Sequence, residues 1–418
     1  MEEETAETIG LSTSCCPPWS ELLPDLLGRV IAHLPFPADL ARFRAVCRPW
    51  RSAARQHVRQ LPWIVFPDCS FCTIGDDGGA FFSRIPGLPE NVTCLGAAAD
   101  GWLALDCTDD VFRRTPTWVK IRFKMKQQES SSAAADHDEP IIDRRTSRHT
   151  YILHNPFSGE IVPLPELDSM FGRVPRTFEI RKVLMMRGSS NSSPHDMVAV
   201  TTNSWKYNVV FCCPGKGKCV VPNVRVFDVA FVGNNRLYGI TPEEELVAFD
   251  LATDKDGRPI VTKYRRVIKQ PLANGAADPR SWIEVKDLIV TTRHLVTSHG
   301  GGDRGELLLM VKHHVQCPPI SESYTRMLEV FKADINVGSW VPITTDALGN
   351  GEALFLGQSF SKSTRMYGDI KEGHVYFLGI DGLFDTRSWA SRPFSLPVET
   401  KLEHDKLLTW LLPPKLVV

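Results

Sequence analysis

Few stretches of this chain carry residue types that do chemistry, and each lacks a necessary part. Cys69-Ser70-Phe71-Cys72 has the spacing of a zinc-ligand pair or a redox dithiol. A closed zinc site takes four ligands, and no second such pair exists; Cys212, Cys213 and Cys219 are wrongly spaced. The neighbouring run Trp63-Ile64-Val65-Phe66 makes the pair read as strand cysteines. Pro214-Gly215-Lys216-Gly217-Lys218-Cys219 has phosphate-loop residues but neither the spacing nor a following helix, and reads as a hairpin turn. Gly300 to Gly305 reads as a loop for the same reason. His294, His299, His313 and His314 form no metalloprotease motif, and strand alternation places His313 and His314 on opposite faces. No Gly-x-Ser-x-Gly elbow occurs, and Glu243-Glu244-Glu245 is expected in a solvated turn. The expectation is no catalytic residue, no cofactor and no metal. A site assembled from distant residues is the enzyme reading that this leaves.

The stretch with the strongest organisation is helical instead. In WSELLPDLLGRVIAHLPFPADLARFRAVCRPWRSAARQH, residues 19–57, Ser20 is a candidate N-cap, and Pro24 and Asp25 suit a first turn. Leu22, Leu26, Leu27, Val30, Ile31 and Leu34 recur at helical spacing. Pro35 ends that helix, Pro37 opens a second through Leu40 and Phe43, and Pro49 precedes a third, Trp50 to His57. Three short helices hide less apolar surface than this stretch contains. The surplus either meets a partner, since apolar grooves take amphipathic helices, or packs on the domain that follows.

This stretch resembles an F-box, the motif with which substrate receptors dock a Skp-family adaptor in cullin–RING ubiquitin ligases. The resemblance rests on Leu22-Leu23-Pro24-Asp25-Leu26-Leu27, Val30, Leu34-Pro35, Asp39-Leu40, Arg42, Arg44 and the close Val46-Cys47-Arg48-Pro49-Trp50-Arg51. Leu23 stands where the family usually has proline, with Pro24 one place later. What the resemblance implies is an adaptor-facing or module-core set of Leu22, Pro24, Leu26, Val30, Leu34, Leu40, Val46, Cys47 and Trp50. Arg29, Arg42, Arg44, Arg48, Arg51, Arg55 and Arg59 make the stretch basic. They are interleaved with buried-type residues in a chain of formal net charge −1, which favours an acidic protein partner or solvated faces over nucleic acid.

The 418 residues are 43% hydrophobic and 23% charged, ordinary for a globular protein. No apolar run approaches the roughly 20 residues of a membrane span, and MEEETAETIG lacks the features of a signal peptide. No membrane is expected, and a cytoplasmic or nuclear location is. Eleven scattered cysteines are then expected to be reduced thiols.

Residues 1–17 read as a disordered acidic tail, 18–60 as the helical module and 61–418 as an all-β domain. Short β-type runs recur as strand–turn–strand units of roughly 45 to 60 residues, as at Val226–Val232, Arg236–Ile240 and Leu246–Leu251. A sandwich pair gives similar spacing, while the length of unbroken β pattern favours a β-propeller. Residues 126–148 are expected to be a disordered loop, and Gly188–His195, Asp254–Arg258, Leu272–Arg280 and Ser298–Gly305 shorter loops. Leu407 to Leu412 is expected to be a last strand that helps to close the ring.

Ala99-Asp100-Gly101-Trp102-Leu103, Asn155-Pro156-Phe157-Ser158-Gly159-Glu160, Leu164-Pro165, Val330-Phe331-Lys332-Ala333-Asp334, Trp340-Val341, Ala353 to Gly357 and His374-Val375-Tyr376-Phe377 resemble plant F-box proteins ending in the domain of unknown function 295. The resemblance implies an α+β multidomain chain, a three-helix F-box before a kelch-like propeller. It also implies a non-catalytic substrate-recognition subunit of an SCF-type ligase that joins the adaptor to an unnamed target protein. The alternative is a ubiquitin-independent propeller whose F-box-like helices pack only in cis.

Overall fold

The computed structural model describes residues 19–57, 62–73, 81–82, 84–89, 91–99, 101–108, 148–174, 178–186, 196–233, 235–269, 284–286, 289–298, 307–316, 324–343, 351–365, 372–378, 382–385, 390–393 and 408–413. The expected acidic tail lies outside them, as do the expected loops at 126–147, 188–195, 272–280 and 299–305. The chain divides into two compact units, one ending at residue 59 and the other covering residues 60–415.

In the first unit a single 3-10 turn, Trp19–Glu21, precedes α1 (Pro24–Ala32), α2 (Pro37–Val46) and α3 (Arg48–His57). Ser20, the expected N-cap, sits in the 3-10 turn instead. Helix α1 opens from extended Leu23 with no side-chain cap. Proline at the first position needs none for its own missing N–H, and its fixed φ already matches the helix; α2 starts in the same way at Pro37.

The second unit is built of six β-sheets among the described residues. Strands β1 (Trp63–Val65), β2 (Phe71–Thr73) and β3 (Phe81–Phe82) belong to the first blade. The second contains β4 (Thr93–Ala99), β5 (Trp102–Asp106), β6 (Tyr151–Asn155) and β7 (Glu160–Pro163). A short helix, α4 (Pro165–Phe171), leads to the third: β8 (Ile180–Met186), β9 (Met197–Thr202), β10 (Val209–Cys213) and β11 (Gly217–Val221). The fourth is β12 (Asp228–Phe231), β13 (Arg236–Ile240), β14 (Leu246–Thr253) and β15 (Pro259–Ile268). The fifth is β16 (Glu284–Lys286), β17 (Ile289–Ser298), β18 (Leu307–Gln316), β19 (Tyr324–Asp334) and β20 (Ser339–Pro342). The sixth is β21 (Glu352–Leu356), β22 (Lys362–Arg365), β23 (His374–Phe377), β24 (Gly382–Asp385) and β25 (Ala390–Pro393). The last strand, β26 (Thr409–Leu411), returns to pair antiparallel with β1.

Strand β10 shows why these runs are apolar without alternation. Its side chains alternate between faces, and each face meets a different blade. Val210 and Cys212 pack with Trp102, Leu153 and Phe171 from the second-blade side, while Val209, Phe211 and Cys213 pack with Val229, Leu237 and Phe249 of the fourth. Further round, Leu295, Met310 and Trp340 pack on Tyr238 and Leu246, and Val296 and Val311 pack on Leu354 and Phe377. Each sheet is thus a slice between two neighbours, which is a propeller and removes the sandwich reading.

Buried polar contacts join the same neighbours. Asp228 on β12 receives Lys182 of β8 at 2.6 Å and the backbone N–H of Leu295 on β17 at 2.8 Å, linking three blades. Glu244 corrects an expectation: it is not a solvated turn residue but is 4% exposed. Arg293 and Lys312, cross-strand partners in the fifth blade, both approach its Oε1 at 2.7 Å, and the Trp340 indole donates to its carbonyl at 2.8 Å. Two cations projecting from one face of the next blade make a buried carboxylate tenable there.

The ring closes at β26. The Ala97 N–H, in the second blade, donates to Thr409 Oγ1 at 3.0 Å, and the Trp410 indole donates to the Leu356 carbonyl, in the sixth, at 3.0 Å. The Trp410 ring also stands edge-on to Phe355, centroids 4.9 Å apart. Beside the latch, Gly96 lets Ser359 of the sixth blade come close to β4: with φ +149, any Cβ there would fall 2.4 Å from that of Ser359. Trp410→Ala is expected to lower the unfolding free energy by about 3–5 kcal/mol, the usual cost of truncating a buried tryptophan. Urea titration followed by far-ultraviolet circular dichroism checks this, and an unchanged midpoint would show that the latch is dispensable.

Candidate adaptor-docking site

The three helices share a minimal core of Leu27, Ile31, Leu40, Phe43, Ala53 and Ala54. Leu22, Leu34 and Trp50 pack against it. The Trp50 ring lies 4.5 Å from that of Phe43, and its indole N–H donates to the Trp19 carbonyl at 2.9 Å, fixing the entry segment. This core uses one side of α1. The other side carries Leu26 and Val30, 43% and 40% exposed, and Leu23, the extended residue just before the helix, is 66% exposed. A spacing of four residues brings Leu26 and Val30 onto one helix face. Trp19 and Val46 are exposed as well, at 73% and 56%.

The sequence-marked set therefore splits. Leu40 is buried, and Leu22, Leu34 and Trp50 belong to the module's packing. Pro24, Leu26, Val30 and Val46 are on the surface, and Cys47 is a half-buried free thiol. Trp19 and Leu23 extend the exposed group although sequence reasoning did not mark them. Leu23 is the extended residue that precedes α1, and the position of Trp19 depends on its tertiary bond to Trp50. Arginines surround this surface: Arg29, Arg42, Arg48, Arg51 and Arg55 are exposed, and Arg42 pairs with Asp39 at 2.8 Å.

A small helical module with an exposed apolar face ahead of a six-bladed propeller defines the class of protein that family comparison identifies. The F-box domain model matches residues 19–59, and the KIB1-4 beta-propeller model matches residues 120–401. The second match covers more than half of the chain, which belongs to the KIB1-4 beta-propeller family. Two Arabidopsis thaliana proteins are similar over shorter stretches. Putative F-box protein At4g17565 is 48% identical over 58 residues, 13% of this chain and 15% of the relative. F-box protein At1g10110 is 32% identical over 89 residues, 20% and 22% of the two chains. The matched stretches thus span less than a quarter of either relative.

The other motifs resolve into scaffold. Cys69 corrects an expectation, because it lies in the β1–β2 turn with φ +64 while Cys72 is on β2. Asp68 makes the turn by accepting from the Ser70 N–H at 3.0 Å and hydroxyl at 2.7 Å. Among the described residues no three His, Cys, Asp or Glu side chains are grouped to hold a metal. Burial pushes the thiols of Cys94, Cys107 and Cys212 up, and that of Cys213 up to about 11, so these are poor nucleophiles at neutral pH. The glycine-rich stretch at 214–217 is the β10–β11 turn, closed by the Lys216 N–H donating to the Cys213 carbonyl at 2.9 Å. No described helix is long and apolar enough to cross a membrane.

The histidines divide as strand geometry requires. His314 lies 2.8 Å from Thr291 Oγ1 and 3.1 Å from Glu329, whereas His313 stacks on Phe377 with centroids 4.1 Å apart. His294 contacts Thr292 Oγ1 at 3.1 Å and Ser361 Oγ at 3.3 Å. Burial, with the charge of Lys182 adding and that of Asp228 opposing, brings the His294 pKa down to about 4. Burial also holds His313 well below its ordinary range, helped by His294 and His314. The unfolded chain binds these protons more readily than the folded one. Stability is therefore complete above about pH 6.5 and declines as pH falls from there toward 4. Each histidine contributes a slope of at most about 1.4 kcal/mol per pH unit. Thermal unfolding between pH 7 and 5 is expected to show this decline, and His294→Gln to flatten it; a pH-independent midpoint would contradict the assignment.

Proposed function

We propose that this chain is the substrate-recognition subunit of an SCF-type cullin–RING E3 ubiquitin ligase. Residues 18–60 act as the F-box that docks a Skp-family adaptor, and residues 61–418 act as the domain that takes a target protein. The observation that carries this reading is the exposed face of Leu26 and Val30, preceded by exposed Leu23, on a module whose own core is already filled by other side chains. Desolvated apolar anchors with a charged rim are the usual anatomy of a protein interface. Trp19, Pro24 and Val46 extend the contact, and the surrounding arginines steer an acidic adaptor toward it.

The chain itself performs no chemistry in this reading. Holding the target beside a ubiquitin-loaded enzyme supplies catalysis by proximity, and other subunits carry the reacting groups. The kelch-like blades and the relationship to domain of unknown function 295 belong to the same proposal, as does a cytoplasmic or nuclear site of action.

The structure selects the variants that test it. Trp50→Ala and Leu34→Asp strike the module's packing, so they would lose binding through unfolding. Leu26→Asp and Val30→Asp place a charge on the exposed face and leave the core intact. In a pull-down of full-length protein with a purified Skp-family adaptor, each is expected to reduce capture at least about tenfold, the cost of burying one unpaired charge at an interface, with the melting temperature unchanged. Undiminished capture by both would move the docking surface elsewhere. No capture by folded wild-type protein would leave a ubiquitin-independent binding protein.

A further inference from the structure

The outer edges of the blades are not alike. The strands at the outer ends of five sheets are short: β3, β7, β11, β20 and β25 have two to five residues, and β7, β20 and β25 each finish in a proline. Shortness and proline are common ways of keeping an exposed strand from pairing with another chain. Strand β15, the outer strand of the fourth blade, has ten residues, and its only proline, Pro259, is the first of them. Among the described residues β15 pairs with β14 alone. Alternate residues of such a strand turn an N–H and a C=O outward, where no partner receives them.

The side chains of this edge are arranged in two rows. Two bulges in the pairing with β14 frame a regular stretch in which Lys263, Tyr264, Arg265 and Arg266 stand opposite Asp250, Phe249, Ala248 and Val247. Alternation sends these four side chains to two faces. Tyr264 lies on the third-blade side, its ring 5.4 Å from that of Phe249, and is still 43% exposed. Lys263 and Arg265 lie on the other side with Ala248, which faces the fifth blade. The nearby carboxylates are engaged elsewhere: Glu245 pairs with Arg266 at 3.3 Å, and Asp250, opposite Lys263, pairs with Arg236. Among the described residues neither Lys263 nor Arg265 makes a side-chain ion pair or hydrogen bond, and the Arg265 Nε is enclosed without an acceptor. Two cations two residues apart on one face, with a tyrosine between them on the other, match a strand whose residues alternate acidic and apolar.

We propose that the β15 edge takes an extended acidic peptide segment of a target protein as a fifth strand of the fourth blade. In this mode main-chain hydrogen bonds supply the affinity and alternate side chains the selectivity. The carboxylates of the segment stand beside Lys263 and Arg265, within reach of cross-strand pairing, and the apolar side chain between them lies beside Tyr264. The bulges bend β15 on either side of residues 263–266, so the docked segment is short. A second copy of this chain is a poorer occupant, because joining two β15 edges would bring their cations together, and like charges set opposite each other destabilise a strand pair. The inference rests on the receptor reading in one respect only, that the segment belongs to a ligase target.

The test titrates full-length protein with fluorescein-labelled Glu-Val repeat peptide, with Lys-Val repeat peptide, and with Glu-Val repeat peptide N-methylated throughout. N-methylation removes the main-chain donors and leaves the charge unchanged. The unmodified Glu-Val peptide is expected to bind at least about tenfold more tightly than either of the others. Lys263→Glu is expected to weaken it, and Lys263→Glu with Arg265→Glu to turn the preference toward Lys-Val. Lys263 is exposed, so an unchanged melting temperature shows that the single variant is folded, and the three-peptide comparison needs no variant. Absent binding, equal binding of Lys-Val, equal binding of the N-methylated peptide, or insensitivity to Lys263→Glu would overturn the site. Adaptor capture is scored on the same samples. Capture without peptide selectivity removes this edge site alone, and selectivity without capture removes the receptor reading alone.

Discussion

A propeller blade is stable only when both of its faces are covered, so the chain depends on joining its last strand to its first. Thr409, Trp410 and Leu411 provide that join by completing the first sheet beside Trp63, Ile64 and Val65. Two side-chain bonds extend the latch sideways, to the Ala97 N–H in the second blade and to the Leu356 carbonyl in the sixth. A strand of three residues suffices because most of its stabilisation comes from burial. Trp410 and Leu411 are fully enclosed, and each large aromatic side chain removes on the order of 150–250 Å² from water. Without the join, one face of the first blade and one face of the sixth would be open to solvent.

The apolar slices between blades are close to interchangeable in composition, so they hold the ring without specifying much about its register. Polar contacts supply that. Glu244, Arg293 and Lys312 fit only when the fourth and fifth blades are correctly offset, and Asp228 requires Lys182 and the Leu295 amide together. Glu352 plays a similar part between the fifth and sixth blades by accepting from Ser298 and Ser363. Buried ions of this kind add little net stability against a hydrophobic alternative, yet a misaligned neighbour would strand a charge. The frame also carries an ordered loop, Asn203–Asn208, at whose tip Trp205 is exposed.

The helical unit follows the opposite economy. Its six core side chains leave several large apolar groups outside, and three helices of about ten residues cannot enclose more. The same smallness that limits its stability leaves Leu26, Val30 and Val46 exposed.

Much of this was legible in the sequence, because it depends on local rules. The helix start at Pro37, the hairpin at 214–217, the strands around Leu237 and Phe249 and the closing role of residues 409–411 all follow from proline geometry, glycine turns and β-type runs. Other features were decided by neighbours distant in the chain. Glu244 reads as a solvated turn residue until Arg293 and Lys312, far along the sequence, arrive to neutralise it. Cys69 reads as a strand residue until Asp68 folds back on Ser70, and Pro165–Phe171 is helical because Leu167 and Phe171 find a pocket between blades. Trp50 and Leu34 cannot be separated from Leu26 and Val30 by periodicity alone, since the core-facing side of α1 is chosen by α2 and α3. Sequence determined which elements form, because φ, hydrogen bonding and apolar period act within a few residues. Tertiary structure decided which side chains remain on the surface, because burial is a property of what packs opposite.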